Sequence, residues 1–238
     1  MLPRDRVAFA LDYPTLAEAS AGAALAAPAV GVLKVGLELF VREGPRAVEI
    51  GAAHDRAVFL DLKLHDIPET VERAVHNAAA LGARYLTLHA SGGRAMLERA
   101  ANAAARAPSP LTLLAVTVLT SLDQSDLASL GTNDSPREHV VRLARLAFDS
   151  GVTGFVTSAQ EVAALREAVG PTAFLVTPGI RPVGAGAGDQ KRVATPTSAL
   201  QQGADLLVIG RPIRDASDPR AAAFAIVDEV AAAVSSAS

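Results

Sequence analysis

Eight short apolar runs alternate with helical segments along the whole chain. The runs are rich in Val and Leu without a regular apolar–polar alternation, as expected for parallel strands that are covered on both faces. The helical segments between them include residues 15–27, 67–81, 94–106 and 160–169. Eight strand–helix units in 238 residues predict an α/β fold, a single-domain (β/α)8 barrel over residues 1–238. An open, doubly wound sheet is the competing architecture, because a strand count cannot separate the two.

The composition excludes several classes of function. The chain has no cysteine, which excludes disulfides, zinc–cysteine sites and thiol catalysis. Its net charge is -3 with no basic tract, so we expect no nucleic-acid interface. The opening residues, MLPRDRVAFALD, carry charges where a signal peptide needs an apolar run, and no later run suits a membrane span. These features predict a cytoplasmic protein that binds neither nucleic acid nor membranes.

Polar residues collect where the predicted strands end, and no comparable set occurs where the strands begin. They are Asp12, Lys34, Asp61, Lys63, His89, Thr120, Ser121, Arg181, Gly210 and Arg211. In (β/α)8 barrels the active site lies at the carboxyl ends of the strands. We therefore expect these side chains to surround one site at the barrel mouth.

The segment DLKLHDIPET, from Asp61 to Thr70, places three charges directly after an apolar run. Alternate residues of a strand share a face, so Asp61 and Lys63 are predicted to point together into the mouth. Asp66 lies just past the strand, near enough to turn back over the mouth. Flanking carboxylates favour the protonated form of Lys63. A protonated lysine argues against a Schiff-base nucleophile and suits a general acid.

Other cations and anions extend this charged set, although simpler interpretations stay open. Lys34 could join Asp61, Lys63 and Asp66 in an alternating Lys–Asp–Lys–Asp network. A salt bridge that merely closes a strand end would also explain the charges, and Lys34 or Asp12 alone could be ordinary strand-end residues. His65 and His89 lack metal-ligand spacing, so they are predicted to have structural roles and no metal site is predicted.

A glycine-rich segment between the last two predicted strands indicates a phosphate site. Its glycines match neither a dinucleotide-binding fingerprint nor a P-loop. They predict a mobile loop over 183–192, with Arg181 and Gln190 near its ends. Loops after strands seven and eight often bind phosphate in barrels, which favours Arg181, Gly210 and Arg211 as phosphate ligands. A surface loop with solvated arginines is the alternative.

Seven motifs in order resemble the orotidine 5′-phosphate decarboxylase family over nearly the whole chain. They are FALDYP from Phe9, LKVGLELF from Leu33, FLDLKLHDIPETV from Phe59, VTVLTS from Val116, TPGIRP from Thr177, GDQKR from Gly188 and VIGRPI from Val208. The Asp-x-Lys-x-x-Asp core occurs in a wider barrel superfamily, whereas the Ile67–Pro68 continuation and the later motifs are more specific. Glu69 departs from the family, which usually has Asn there, and we expect it to tune the surroundings of the site.

The resemblance implies a function and a set of catalytic residues. Such enzymes convert orotidine 5′-phosphate to UMP and carbon dioxide in pyrimidine biosynthesis, with neither metal nor organic cofactor. Lys63 would deliver the proton to C6, and Lys34, Asp61 and Asp66 would complete the charged network. Family members are homodimers with shared active sites, so Asp66, Ile67 and Thr70 would reach into the partner's site.

The resemblance also implies which residues bind the substrate. Asp12 and Lys34 would bind the ribose hydroxyls, and Thr120 and Ser121 would lie by the pyrimidine. Gln190 would bridge the base and the phosphate. The phosphate itself would be held by Arg181, Gly210 and Arg211.

Two rival functions follow from the same residues. A magnesium-dependent 3-hexulose-6-phosphate synthase or keto-gulonate-phosphate decarboxylase has the same Asp-x-Lys-x-x-Asp core, and carboxylates can bind that ion. The DIP continuation and GDQKR argue against this class. A non-catalytic binder of a phosphorylated ligand is the other rival, and it has no need of the complete charged set.

Overall fold

Eight parallel strands close into a barrel in chain order, and β1 pairs with both β2 and β8. The computed structural model of the chain describes residues 1–182 and 194–236. The strands are β1 (Val7–Ala10), β2 (Val32–Gly36), β3 (Ala57–Leu64), β4 (Ala83–His89), β5 (Thr112–Val116), β6 (Gly154–Val156), β7 (Phe174–Thr177) and β8 (Leu206–Ile209). The pairing of β1 with β8 closes the sheet, which confirms the (β/α)8 barrel and excludes the open sheet.

Helices connect the strands and surround the barrel. In the first half they are α1 (Leu16–Ala26), α2 (Leu37–Glu43), α3 (Arg46–Ala53), α4 (Pro68–Ala80) and α5 (Arg94–Ala105). In the second half they are α6 (Gln124–Ser129), α7 (Pro136–Asp149), α8 (Val162–Val169), α9 (Pro196–Gln201), α10 (Arg211–Arg214) and α11 (Pro219–Ser236). Within the described ranges, none of these helices is both long and apolar enough to cross a membrane.

Local sequence signals explain where several helices begin. The Ser135 hydroxyl accepts a hydrogen bond from the Glu138 amide, and the Glu138 side chain accepts one from the Ser135 amide. This reciprocal cap satisfies amides that have no partner inside the helix. Proline occupies the first helical position of α4, α7 and α9, where its missing N–H costs nothing. The four helical segments predicted from the sequence agree with the observed bounds within two residues.

The core has two layers, one between the barrel and the helices and one inside the barrel. Inside, the Phe59 ring packs edge-on against Tyr85 at 6.2 Å, and Tyr85 stacks on Phe174 at 5.5 Å between ring centroids. Phe59 also lines the cavity at the mouth. These rings therefore form an apolar floor beneath the polar strand ends.

Two predicted strand ends are wrong. β7 ends at Thr177, so Arg181 lies four residues beyond it in a loop. The end of β5 also differs. The apolar run from Leu111 continues to Leu119, but β5 ends at Val116. Thr120 and Ser121 therefore lie in the turn beyond the strand, where pairing with β4 and β6 has already stopped.

Candidate active site

A cavity of about 480 Å³ opens at the carboxyl ends of the barrel strands. Its polar lining includes most of the residues predicted from the sequence: Asp12, Lys34, Asp61, Lys63, Thr120, Arg181, Gly210 and Arg211. Apolar side chains from the same strands complete the wall, among them Ala10, Phe59, Val116, Val156 and Val208. Cations outnumber carboxylates in this lining, so the cavity suits an anionic ligand.

A chain of ion pairs crosses the cavity between β1, β2 and β3. Asp61 is its centre, with 2.8 Å from its Oδ1 to Lys63 Nζ and 3.5 Å from its Oδ2 to Lys34 Nζ. Lys34 Nζ also lies 3.2 Å from Asp12 Oδ1. The structure thus brings together three members of the predicted Lys–Asp–Lys–Asp network and adds Asp12 at its outer end.

Burial and charge oppose each other in this network. Burial disfavours the ionised Asp61 carboxyl, but Lys34, Lys63 and the hydrogen bonds from Lys63 and Thr87 outweigh it and hold the pKa of Asp61 below its ordinary value. Burial likewise disfavours the charged Lys34, but Asp61 and Asp12 outweigh it and raise the pKa of Lys34 above its ordinary value. Asp61 and Lys34 therefore stay ionised at neutral pH, and each of these two ions is tolerated because it is paired.

Regular strand alternation does not place Lys63. Between Leu60 and Leu64 the pairing of β3 with β4 shifts register, and Lys63 has a φ of 51°, in the left-handed region. Such a conformation costs a residue other than glycine about 1–2 kcal/mol. Leu62 and Leu64 pack against the core layer between the barrel and the helices. Asp61 and Lys63 meet because the backbone bulges and turns the lysine towards the carboxylate, not because of simple alternation.

Within one chain, Asp66 does not extend the network to a fourth member. Its Oδ1 accepts a hydrogen bond of 2.6 Å from the Ile67 amide, and its side chain is exposed. It makes no ion pair with Lys63 among the described residues. Ile67 and Thr70 are exposed at the same end of α4, outside the cavity. The expectation that Asp66 turns back over its own barrel mouth is therefore wrong, because α4 begins directly afterwards and leads away from the mouth.

The expected phosphate end lies after β7 and β8, next to the β1 end of the ion-pair network. Arg181 is 8% exposed, and its amide donates to the Ala194 carbonyl at 2.9 Å. Gly210 and Arg211 follow β8 directly and line the same part of the wall. A Cβ on Gly210 would lie at an ordinary contact distance of 3.5 Å from Asp12 Oδ2, so Gly210 lies directly beside the β1 end. Gln190 and the predicted loop over 183–192 lie outside the described residues.

The remaining predicted positions differ in outcome. Thr120 is partly buried and lines the cavity, whereas Ser121 is exposed and does not. His89 ends β4 as predicted, and its ring lies 5.3 Å from that of His65. Burial, then His65 and Lys63, lower the pKa of His89 against the opposing effect of Asp61. Glu69 is exposed and pairs with Arg73 at 3.3 Å, one turn further along α4.

Three polar residues at the mouth were missed by sequence reasoning. Thr87 hydrogen-bonds both to Asp61 and to the Lys63 backbone. Thr157 is buried in the cavity wall, and its hydroxyl has no hydrogen-bond partner within residues 1–182 and 194–236. Arg214 lines the cavity and donates to the Asp12 carbonyl at 2.9 Å. Thr157 directly follows β6 and Arg214 lies close behind β8, so both carried the strand-end signal, whereas Thr87 lies inside β4, where threonine is common.

Comparison with known proteins agrees with this geometry. Residues 5–226 match the model of the family described as Orotidine 5'-phosphate decarboxylase / HUMPS family. The chain belongs to this family. A relative from Anaeromyxobacter sp. (strain K), named orotidine 5'-phosphate decarboxylase, is 57% identical over 95% of this chain and 98% of its own length. One with the same name from Thermobifida fusca (strain YX) is 52% identical over 94% of this chain and 95% of its own.

Solved structures of the family share the barrel. The crystal structure of orotidine 5'-phosphate decarboxylase from Lactobacillus acidophilus matches with a TM-score of 0.84 and 35% identity. The match covers 95% of this chain and 99% of that one. The family resemblance predicted from the sequence motifs is therefore confirmed.

The buried ion pairs predict a pH-dependent loss of stability in Asp61→Asn. Removing one partner of a buried pair should lower the free energy of unfolding by about 3 kcal/mol at pH 7, because Lys34 and Lys63 lose their shared carboxylate. The folded-state pKa of Asp61 is depressed, so its contribution is complete above the ordinary carboxyl pKa of about 4 and is lost as pH falls through the lower folded value.

Urea unfolding of wild type and variant at several pH values measures this difference, which should shrink only in acid. The exposed Asp149→Asn is a matched control that should change stability by less than about 0.5 kcal/mol. Equal stability of Asp61→Asn and wild type at pH 7 would contradict the prediction.

Proposed function

We propose that this protein decarboxylates orotidine 5′-phosphate to UMP and carbon dioxide, without metal or organic cofactor, and that Lys63 is the proton donor. The family match and the names of the relatives support the reaction. The observation that carries the mechanism is the 2.8 Å contact between Lys63 Nζ and Asp61 Oδ1 inside a cavity with an excess of cations.

The chemistry requires a cation beside one ring carbon. The bond between C6 and its carboxylate breaks, carbon dioxide leaves, and the electron pair stays on C6. The Lys63 ammonium stabilises this developing carbanion and then transfers one proton to C6, which leaves a neutral amine that solvent reprotonates. A fixed ammonium is most effective where water is excluded and where no reorganisation is needed during the reaction.

Asp61 has two roles in this proposal. It fixes Lys63 by the short ion pair, and its own negative charge lies near the place of the substrate carboxylate. Repulsion between two anions raises the energy of the bound substrate more than that of the transition state, in which the carboxylate becomes neutral carbon dioxide. Because the pKa of Asp61 is depressed, this charge persists throughout the neutral range.

The rest of the cavity fits the remaining parts of the nucleotide. Asp12 and Lys34, which are paired at 3.2 Å, would bind the ribose hydroxyls. Thr120 would lie by the pyrimidine, and Ser121 and Gln190 keep the roles that the resemblance implies. Arg181, Gly210 and Arg211 would hold the phosphate. Binding of this remote group can then supply the free energy that assembles the site around the reacting ring.

We also propose a cytoplasmic homodimer whose sites are shared. Asp66 and Thr70 are exposed at the start of α4, beside the cavity but not in it. Ile67 is 65% exposed beside them, so a partner surface at this place would bury its apolar side chain. A second copy that covers this region would bring its Asp66 to Lys63 and complete the four-residue network.

The magnesium-dependent rival is less well supported. Both oxygens of Asp61 face ammonium groups, at 2.8 Å and 3.5 Å, which occupy the positions that a metal ion would need. The DIP continuation and the GDQKR motif also differ from that class. The relatives described above carry the decarboxylase name.

Turnover of orotidine 5′-phosphate in the presence of EDTA tests the reaction. We expect the absorbance of the substrate to fall at the same rate with chelator as with added magnesium, because Lys63 rather than a metal stabilises the carbanion. A strict requirement for magnesium would contradict the proposal and favour the magnesium-dependent class.

Two substitutions of Lys63 test the proton donor. Lys63→Ala should lower kcat by about 10⁴-fold, since it removes both the proton and the charge. Lys63→Arg keeps the positive charge, but a guanidinium group does not release its proton in proteins. This variant should therefore also be nearly inactive. Both variants should still bind UMP, as measured by calorimetry. Retained decarboxylation in either variant would contradict the assignment.

A mixed dimer tests whether Asp66 acts in the partner's site. We expect Lys63→Ala and Asp66→Asn homodimers to be nearly inactive. Co-expression with two affinity tags isolates the dimer that contains one chain of each. If sites are shared, one of its two sites has both native residues, and the mixed dimer should show about half the wild-type activity. An inactive mixed dimer would place both residues in the same chain's site.

A further inference from the structure

Thr87 forms two hydrogen bonds to the catalytic pair. It lies on β4, opposite the bulge of β3, and is fully buried. Its Oγ1 accepts a bond of 2.8 Å from the Lys63 amide and donates one of 2.9 Å to Asp61 Oδ1. The amide can only donate and the ionised carboxylate can only accept, so the direction of both bonds is unambiguous.

The first of these bonds supports an uncommon backbone conformation. Lys63 has a φ of 51°, which residues other than glycine seldom adopt unless their surroundings hold them there. The β3–β4 pairing passes from Leu60 with Leu86 directly to Leu64 with Leu88, so Lys63 lies in the interruption of the ladder. The Thr87 hydroxyl takes the place of the strand acceptor that this amide would otherwise use.

The second bond determines the orientation of the Asp61 carboxylate. Oδ1 receives both Thr87 Oγ1 at 2.9 Å and Lys63 Nζ at 2.8 Å, while Oδ2 faces Lys34 at 3.5 Å. Rotation of the carboxylate would break contacts on both sides. One buried hydroxyl therefore holds both ends of the Lys63 residue, its amide directly and its ammonium through Asp61.

We propose that Thr87 is a positioning residue that aims the Lys63 ammonium at the reacting carbon by holding the bulge and the Asp61 carboxylate together. This inference rests on the proposed decarboxylase function. Thr87 itself need not touch the substrate, and it is absent from the cavity lining. Its loss should therefore slow the chemical step and leave ligand binding largely unchanged.

Thr87→Val keeps the branched shape and volume and removes only the hydroxyl function. Misplacement of a catalytic group by about 1 Å can cost about 10²-fold in rate, so we expect kcat to fall by about 10²-fold. KM and the dissociation constant for UMP should change by no more than about threefold, since the binding wall is untouched.

Thr177→Val is the matched control. Thr177 is also fully buried in a barrel strand, but its hydroxyl has no hydrogen-bond partner among the described residues. The same chemical change there should leave kcat within about twofold of the wild type.

Thr87→Ser and Thr87→Ala form a second pair that differs by one oxygen atom, and it serves if the valine variant does not fold. The serine variant should recover kcat to within about fivefold of wild type, and it should exceed the alanine variant by at least about tenfold. Rates are divided by the concentration of sites that bind UMP. A smaller fraction of folded protein therefore does not lower the reported kcat.

The outcomes separate this inference from the function on which it rests. If the wild type is active and the kcat of Thr87→Val is within about twofold of it, the inference alone is overturned. It is also overturned if Thr87→Ser is as impaired as Thr87→Ala. A parallel loss of kcat and of UMP affinity in Thr87→Val indicates a merely structural role and also overturns it. Wild type without turnover of orotidine 5′-phosphate overturns the proposed function, and the inference with it.

Discussion

The candidate active site depends on one largely buried carboxylate held between two ammonium groups. Asp61 contacts Lys63 through one oxygen and Lys34 through the other, and the three side chains come from two neighbouring strands. Lys34 and Asp61, the two least exposed of these charges, could not stay at this depth alone, because removing an ion from water costs several kcal/mol. Pairing makes the charges tolerable, and the same pairing fixes their positions before any substrate binds. Stability and preorganisation therefore have one common origin here.

The surrounding fold serves this arrangement in two ways. The aromatic floor formed by Phe59, Tyr85 and Phe174 lies inside the barrel beneath the charges. The bulge in β3 turns Lys63 towards Asp61 at the cost of a left-handed backbone. Strain of this kind is commonly found at functional sites, where neighbouring contacts hold it in place. In this barrel one of those contacts is the Thr87 hydroxyl.

Much of the site could be predicted because a parallel barrel has a simple geometric rule. All strands point the same way, so residues at their carboxyl ends converge even when they are far apart in the chain. Asp12, Lys34, Asp61, Arg181 and Arg211 illustrate this. The end of β5 was wrong because an apolar run continues past the last paired residue, and hydropathy does not report where pairing stops. Alternation placed Asp61 beside Lys63 for the wrong reason, since a period of two cannot anticipate a bulge.

The sequence by itself determined the fold class, the family and the set of charges at the mouth, because these follow from periodicity, strand direction and short motifs. The tertiary structure alone decided which of those charges touch. It linked Asp12 to Lys34, turned Asp66 away from its own barrel and placed Thr87 in contact with both Asp61 and the Lys63 backbone. Such contacts join residues on different strands, and their register depends on how the whole barrel packs. A local sequence pattern does not determine that register. It does determine which residue types the register brings together.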